Sequence, residues 1–137
     1  MNIVVQLIEG PLPASPAVAA DARAGAVVCF EGIVRPYEGG RPLAGLEYEA
    51  YQPMAAKELE KLAARATRHF GLLAAHVEHS VGCVPIGDCS FRLRIESMHR
   101  REALEAMAWF IDSMKKDAPI WKKPIFLDEN TAVGEDG

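Results

Sequence analysis

Residues 89–97, CSFRLRIES, alternate without a break, with Phe91, Leu93 and Ile95 on one side and Arg92 and Arg94 on the other. A period of two held over this length reads as a strand with one apolar face and one outward polar face. From His99 to Asp117 the period changes. Apolar residues recur at helical spacing at Leu104, Met107, Ala108, Ile111 and Met114 or Lys115, and Pro119 ends the run. A one-faced strand that feeds a long amphipathic helix requires a sheet with a helix laid on its apolar side.

The remaining segments extend this pattern. NIVVQLI (2–8), AVVCFEGIVR (26–35), GLEYEAY (45–51), LAAHVEHS (73–80) and residues 121–127 read as strands. Gly32 inside the second marks a bulge or a close backbone approach. Ser15 followed by Pro16 signals a helix start, and PAVAADARA (16–24) is expected to be helical, stopped by Gly25. Pro53 opens a second helix to about His69, with Ala55, Leu59, Leu62, Ala63, Ala66 and Phe70 on one stripe. PYEGGRP (36–42) reads as a flexible loop and VPIGD (84–88) as a turn. The expected order is β-α-β-β-α-β-β-α-β, a mixed α+β domain with helices on a largely antiparallel sheet. The whole chain, residues 1–137, is expected to be one domain, with a flexible acidic tail over 128–137.

A formal net charge of −4 argues against a general nucleic-acid binder. No apolar run is long enough to span a bilayer, and MNIVVQLIEGPL lacks the basic and long apolar regions of a signal peptide, so a cytoplasmic location is expected. Three cysteines, Cys29, Cys83 and Cys89, do not make a disulfide framework. Cys83 and Cys89 with His76 and His79 form a poor match to zinc-ligand spacing, and small buried hydrophobes is the better reading of the thiols.

Chemistry is concentrated in three cationic patches beside turns. Arg35 ends the second strand. SMHRRE (97–102) places His99, Arg100 and Arg101 at a helix start, where unpaired N–H groups and the positive dipole end suit an anion. Without an anion those cations destabilise the helix end, and Glu102 and Glu105 offset them in part. The plainer reading is a set of exposed side chains without a ligand. Lys115, Lys116, Lys122 and Lys123 lie at the other end of the same helix. Lys115 falls beside the buried stripe and either snorkels or is held for chemistry. Lys122 and Lys123 follow Trp121 in an extended segment and point to opposite faces, so at most one of them faces a pocket with Lys115. There is no G-x-S-x-G, no H-E-x-x-H and no supported Cys–His pair. An enzyme built on this chain works with Lys, Arg and His on an anionic substrate, and its nucleophile comes from elsewhere.

GAVVCFEGIVR, LEYEAYQPMAAKELEKLAARA, HSVGCVPIGD and SMHRREALEAMAWFIDSMKKDAPIWKK together resemble, in order and spacing, the family of the large, catalytic subunit of molybdopterin synthase (the MoaE family) over about residues 2–123. The resemblance implies an α/β hammerhead fold with an additional antiparallel β subdomain. It implies a sulfur transferase of molybdenum cofactor biosynthesis that converts cyclic pyranopterin monophosphate to molybdopterin. Sulfur would arrive as a thiocarboxylate on the C-terminal Gly-Gly of a small ubiquitin-like partner, in a heterotetramer built on a homodimer of large subunits. No cofactor and no metal is implied. By the resemblance Lys115 and Lys122 are the active-site lysines. Arg35, His99 and Arg100 bind the anionic substrate, with Ile33, Val34 and Lys123 beside them, and Arg35 is expected to reach the site from a neighbouring chain or across the dimer seam. Ser80 stands where members often carry arginine, and Pro124 where an acidic residue is common. The competing reading is a non-catalytic scaffold subunit that binds a ubiquitin-like tail or a phosphorylated ligand.

Overall fold

The computed structural model describes residues 2–127, so the tail expected to be flexible lies outside the described residues. In chain order the elements are β1 (Asn2–Glu9), β2 (Ala26–Ile33), β3 (Tyr37–Glu38), β4 (Arg41–Ala50), α1 (Met54–Phe70), β5 (Ala74–Pro85), β6 (Cys89–Ser97), α2 (Arg100–Asp117) and β7 (Ile120–Phe126). The sheet has the order β2-β6-β5-β4-β3, with β1 parallel to β5 and β7 antiparallel to β4. This is the expected α+β arrangement of helices on a largely antiparallel sheet. No described helix is long and apolar enough to cross a membrane.

The helix expected over 16–24 is absent. Residues 11–24 instead run as an irregular arm over the outer face of β6. A nine-residue helix is marginal alone, and Val18 is left 44% exposed, so little apolar burial favours one here. The arm's backbone is taken up by β6 side chains. Arg92 Nη2 donates to the Pro13 carbonyl at 2.8 Å, Arg94 Nη2 to that of Val18 at 3.4 Å, and Asp21 N–H donates to Glu96 Oε1 at 2.8 Å. Gly25 closes no helix: a Cβ there would lie 2.1 Å from the Met98 carbonyl oxygen, so only glycine lets the chain enter β2 so near β6.

Arg92 faces away from the helices as expected, yet it is only 3% exposed beneath this arm. Its Nε donates to Glu31 Oε2 at 2.8 Å and its Nη1 to Glu78 Oε1 at 3.0 Å, which leaves all three guanidinium nitrogens bonded. Arg94 pairs with Glu96 on the same face.

On the other face, Leu93, Ile95, Val77 and Ala75 pack under Leu59, Leu62, Ala63 and Ala66 of α1. Phe70, expected on that stripe, packs at its edge, half-buried. From α2 the core takes Ala103, Ala106, Met107, Phe110 and Met114. The stripe is turned from the expected one. Leu104 is 54% exposed, Ala108 is also exposed, and Met114 rather than Lys115 ends the buried row. Small side chains at 103 and 106 let α2 approach closely, and close approach decides which of several apolar rows goes inward.

β5 joins the two halves of the domain. Its first part pairs with β1 and β6, and Gly82–Pro85 pairs with β4. Gly82 sits at the changeover with φ +80°, and a Cβ there would meet Glu9 Oε1 at 2.3 Å. The expected loop 36–42 is a tight hairpin, turned by Gly39 and Gly40 at φ +59° and +78°, and the next strand starts at Arg41. Val34, Leu43, Leu46 and Val84 form a small second core there.

The cysteines are not buried as expected. Cys29 and Cys83 are exposed and Cys89 is half-buried, because Cys29 lies on the outward face of β2 opposite Arg94 and Cys83 lies beyond the Gly82 changeover.

Candidate active site

A cavity of about 780 Å3 opens where the two halves of the domain meet. One wall is the end of β2 and its exit, from Phe30 to Arg35. The last turn of α2 supplies Ile111, Met114 and Lys115, and the start of β7 supplies Trp121 and Lys122. Tyr48 of β4, His79 of β5, and Ser90 and Phe91 of β6 close it from the sheet.

Each cation is mounted by the fold. Val34 is 2% exposed in the second core and its backbone bonds to Asp88 and Gly87, which fixes the exit of β2 just before Arg35. Val34 therefore serves chiefly as an anchor, whereas Ile33 is 50% exposed at the rim. Lys115 belongs to the last turn of α2, where unpaired carbonyls favour a cation. It is exposed, not half-buried as expected. Pro119 and the pairing of Ile120 with Ala50 turn the chain back from α2 onto β4. Lys122 then lines the cavity, and Lys123, one residue on and opposite Glu47, does not.

Arg35, Lys115 and Lys122 thus line one cavity of a single chain, where Arg35 was expected from a neighbouring chain or across the dimer seam. His99 and Arg100 do not join them. They lie at the start of α2, whose 18 residues span about 27 Å. His99 has extended backbone with its Nδ1 3.7 Å from Glu102 Oε2, and Arg101 reaches Glu105 at 4.0 Å.

The sheet-side polar residues of the cavity, Tyr48, His79 and Ser90, carried no sequence motif. The Tyr48 hydroxyl and Ser90 Oγ are 2.9 Å apart, and burial pushes the Tyr48 phenol up from its ordinary value. His79 was legible only as a sheet histidine. Among the described residues no group of three or more His, Cys, Asp or Glu side chains is placed to hold a metal, and His76, His79, Cys83 and Cys89 form no such group. Chemically, the cavity can receive an anion. Arg35, Lys115 and Lys122 line it among aromatic and aliphatic side chains; of the two carboxylates in the lining, Glu31 is taken up by Arg92 and Glu38 stands beyond the exit of β2.

An α+β domain with an anion-receiving cavity at the junction of two sheet regions defines the class of protein. Comparison with known proteins then gives the family. Residues 9–117 match the family model described as MoaE protein, and the chain belongs to that family. It is 38% identical over 108 residues to a molybdopterin synthase catalytic subunit of Oryza sativa subsp. indica, covering 79% of this chain and 56% of that protein. The chain therefore spans little more than half the length of that relative. Among solved structures it is similar to molybdopterin synthase from Staphylococcus aureus, with TM-score 0.79 and 31% identity over 89% of this chain and 90% of the other. It is also similar to a chain of the complex of subunits 1 and 2 of molybdopterin-converting factor from Helicobacter pylori, with TM-score 0.68 and 29% identity over 91% and 90% of the two chains.

Proposed function

We propose that this chain is the catalytic subunit of a molybdopterin synthase. In this reading it converts a cyclic pyranopterin monophosphate to the dithiolene molybdopterin. The sulfur is carried as a thiocarboxylate on the C-terminal Gly-Gly tail of a small ubiquitin-like partner. The observation that carries the reading is the convergence of Arg35, Lys115 and Lys122 on one cavity from three separate elements. Family membership and the two-subunit complex of the Helicobacter pylori relative support it. Arg35 holds the phosphate through charge-assisted hydrogen bonds. Lys115 stabilises negative charge that develops at the thiocarboxylate carbon, and Lys122 orients the tail or the pterin.

His99 and Arg100 fit the same reading if two copies share each site. Among the described residues β2 pairs only with β6, and Val27, Phe30 and Ile33 on it are 45%, 40% and 50% exposed. An isologous antiparallel contact of β2 with its copy sets one copy's Ala26 end beside the other's Ile33 end. Ala26 lies opposite Ser97, so this contact carries His99 and Arg100 of one copy toward Arg35 of the other. Exposed thiols at Cys29 and Cys83 suit a reducing cytoplasm.

The test is reconstitution with the thiocarboxylated small subunit and the pterin monophosphate, followed by the dithiolene product. Turnover is expected. Tail binding without any sulfur transfer identifies a scaffold subunit and overturns the catalytic reading.

A further inference from the structure

His79 is 6% exposed and still lines the cavity. Its Nδ1 lies 2.7 Å from the Ser80 carbonyl oxygen. A carbonyl only accepts, so Nδ1 carries the ring proton and Nε2 presents a lone pair. The ring is clamped edge-on by Tyr48 at 5.2 Å and packed against Phe91 at 5.8 Å, which fixes the direction of that lone pair. Among the described residues the ring's one hydrogen bond is this Nδ1 contact, so Nε2 is left without a protein partner. Tyr48 and Ser90, on the same cavity wall, bond each other, and Ser90 Oγ lies 3.5 Å from the Gly32 carbonyl. Burial also holds the imidazole pKa below its ordinary value, which keeps the ring neutral.

The cavity thus separates two recognition chemistries. Arg35, Lys115 and Lys122 only donate hydrogen bonds. The His79 nitrogen accepts as a neutral group, whereas the lining carboxylates Glu31, bonded to Arg92, and Glu38 accept as charged ones. A ligand that is an anion alone displaces water from this acceptor without offering it a donor, at a cost to binding. A ligand that carries an anionic group and an N–H-bearing heterocycle satisfies both. We propose that His79 is a substrate-binding residue whose Nε2 accepts a hydrogen bond from an N–H of the substrate's heterocycle while the cations hold its anionic group. The inference rests on the molybdopterin synthase reading, because a pterin offers ring N–H and amino donors of this kind.

The test compares His79→Asn with His79→Gln in the complex with the thiocarboxylated small subunit, varying the pterin monophosphate. Asparagine keeps a donor for the Ser80 carbonyl but is too short to place an acceptor at Nε2. Glutamine reaches the Nε2 position with its amide oxygen. The expected result is a KM about tenfold higher for His79→Asn, kcat within about threefold of wild type, and a KM for His79→Gln within about threefold of wild type. An unchanged KM in His79→Asn, or equal losses in both variants, overturns the proposal. A wild-type complex that makes no dithiolene overturns the parent reading instead, and that failure shows in the wild-type arm alone.

Discussion

Lys122 stands directly opposite Tyr48 in the antiparallel ladder of β4 and β7. β4 is also paired to β5 through Tyr48 and Gly82, so the position of Lys122 is tied to the strand that joins the two halves of the domain. Lys122 therefore reaches the cavity on a ladder, while Lys115 reaches it on a helix end. Neither side chain is part of a core. Lys115→Ala and Lys122→Ala are each expected to lower dithiolene formation on the order of 10²–10³-fold. Folding stability should change by no more than about 0.5 kcal/mol, as for other exposed positions. Lys123→Ala should keep near wild-type turnover. Single-turnover assays and urea denaturation on the same preparations check all three.

If each site draws on two copies, defects on opposite sides of the seam must complement. A Lys115→Ala chain and a chain carrying both His99→Ala and Arg100→Ala are each expected to be nearly inactive alone. After co-refolding, mixed dimers contain one site with every cation intact, and activity should return to a substantial fraction of wild type. A mixture as inactive as its components would show that His99 and Arg100 serve no site across the seam.

Arg92 is a buried charge that the fold holds on three sides. Its two carboxylate partners and the Pro13 carbonyl take up its donors beneath the 11–24 arm. Arg92→Met removes the cation and leaves Glu78, with a side chain only 16% exposed, without its bond partner. Breaking a buried pair from one side is expected to cost about 3 kcal/mol, read as a lower urea midpoint. The arm should also become sensitive to limited proteolysis near Pro13 and Val18, because its anchor on β6 is gone.

His79 makes stability depend on pH in a definite direction. Burial lowers its pKa below the ordinary 6.5, with the Ser80 hydrogen bond opposing part of that shift. As pH falls below 6.5 the unfolded chain takes up a proton that the folded chain refuses, so stability is lost from there down through the folded value. Above the unfolded value the term is flat. Urea midpoints at about pH 7.5 and about pH 5 should therefore differ more in wild type than in His79→Gln, which has no titrating ring. Equal differences in the two proteins would contradict the assignment.

The strand at 89–97, the two long helices and the turn-back at Pro119 were legible in the sequence, because each is written in a local period or a local breaker. The separation of Lys122 from Lys123 was legible for the same reason: an extended segment sends neighbours to opposite faces. The 16–24 segment was misread, since a good local start signal says nothing about the charged face of β6 that needs a cover. Which row of α2 turns inward was also beyond local reading, because Ala103, Ala106 and Phe110 are selected by how closely the helix approaches its neighbours.

By itself the sequence determined which residue types are available for anion chemistry and on which elements they stand. Only the tertiary structure decided that Arg35, Lys115 and Lys122 share one cavity, that His99 and Arg100 lie a helix length away, and that the buried His79 lines the same space. The physical reason is that a period fixes the face of one element, whereas a site is made by the distances between elements, and those are set by packing.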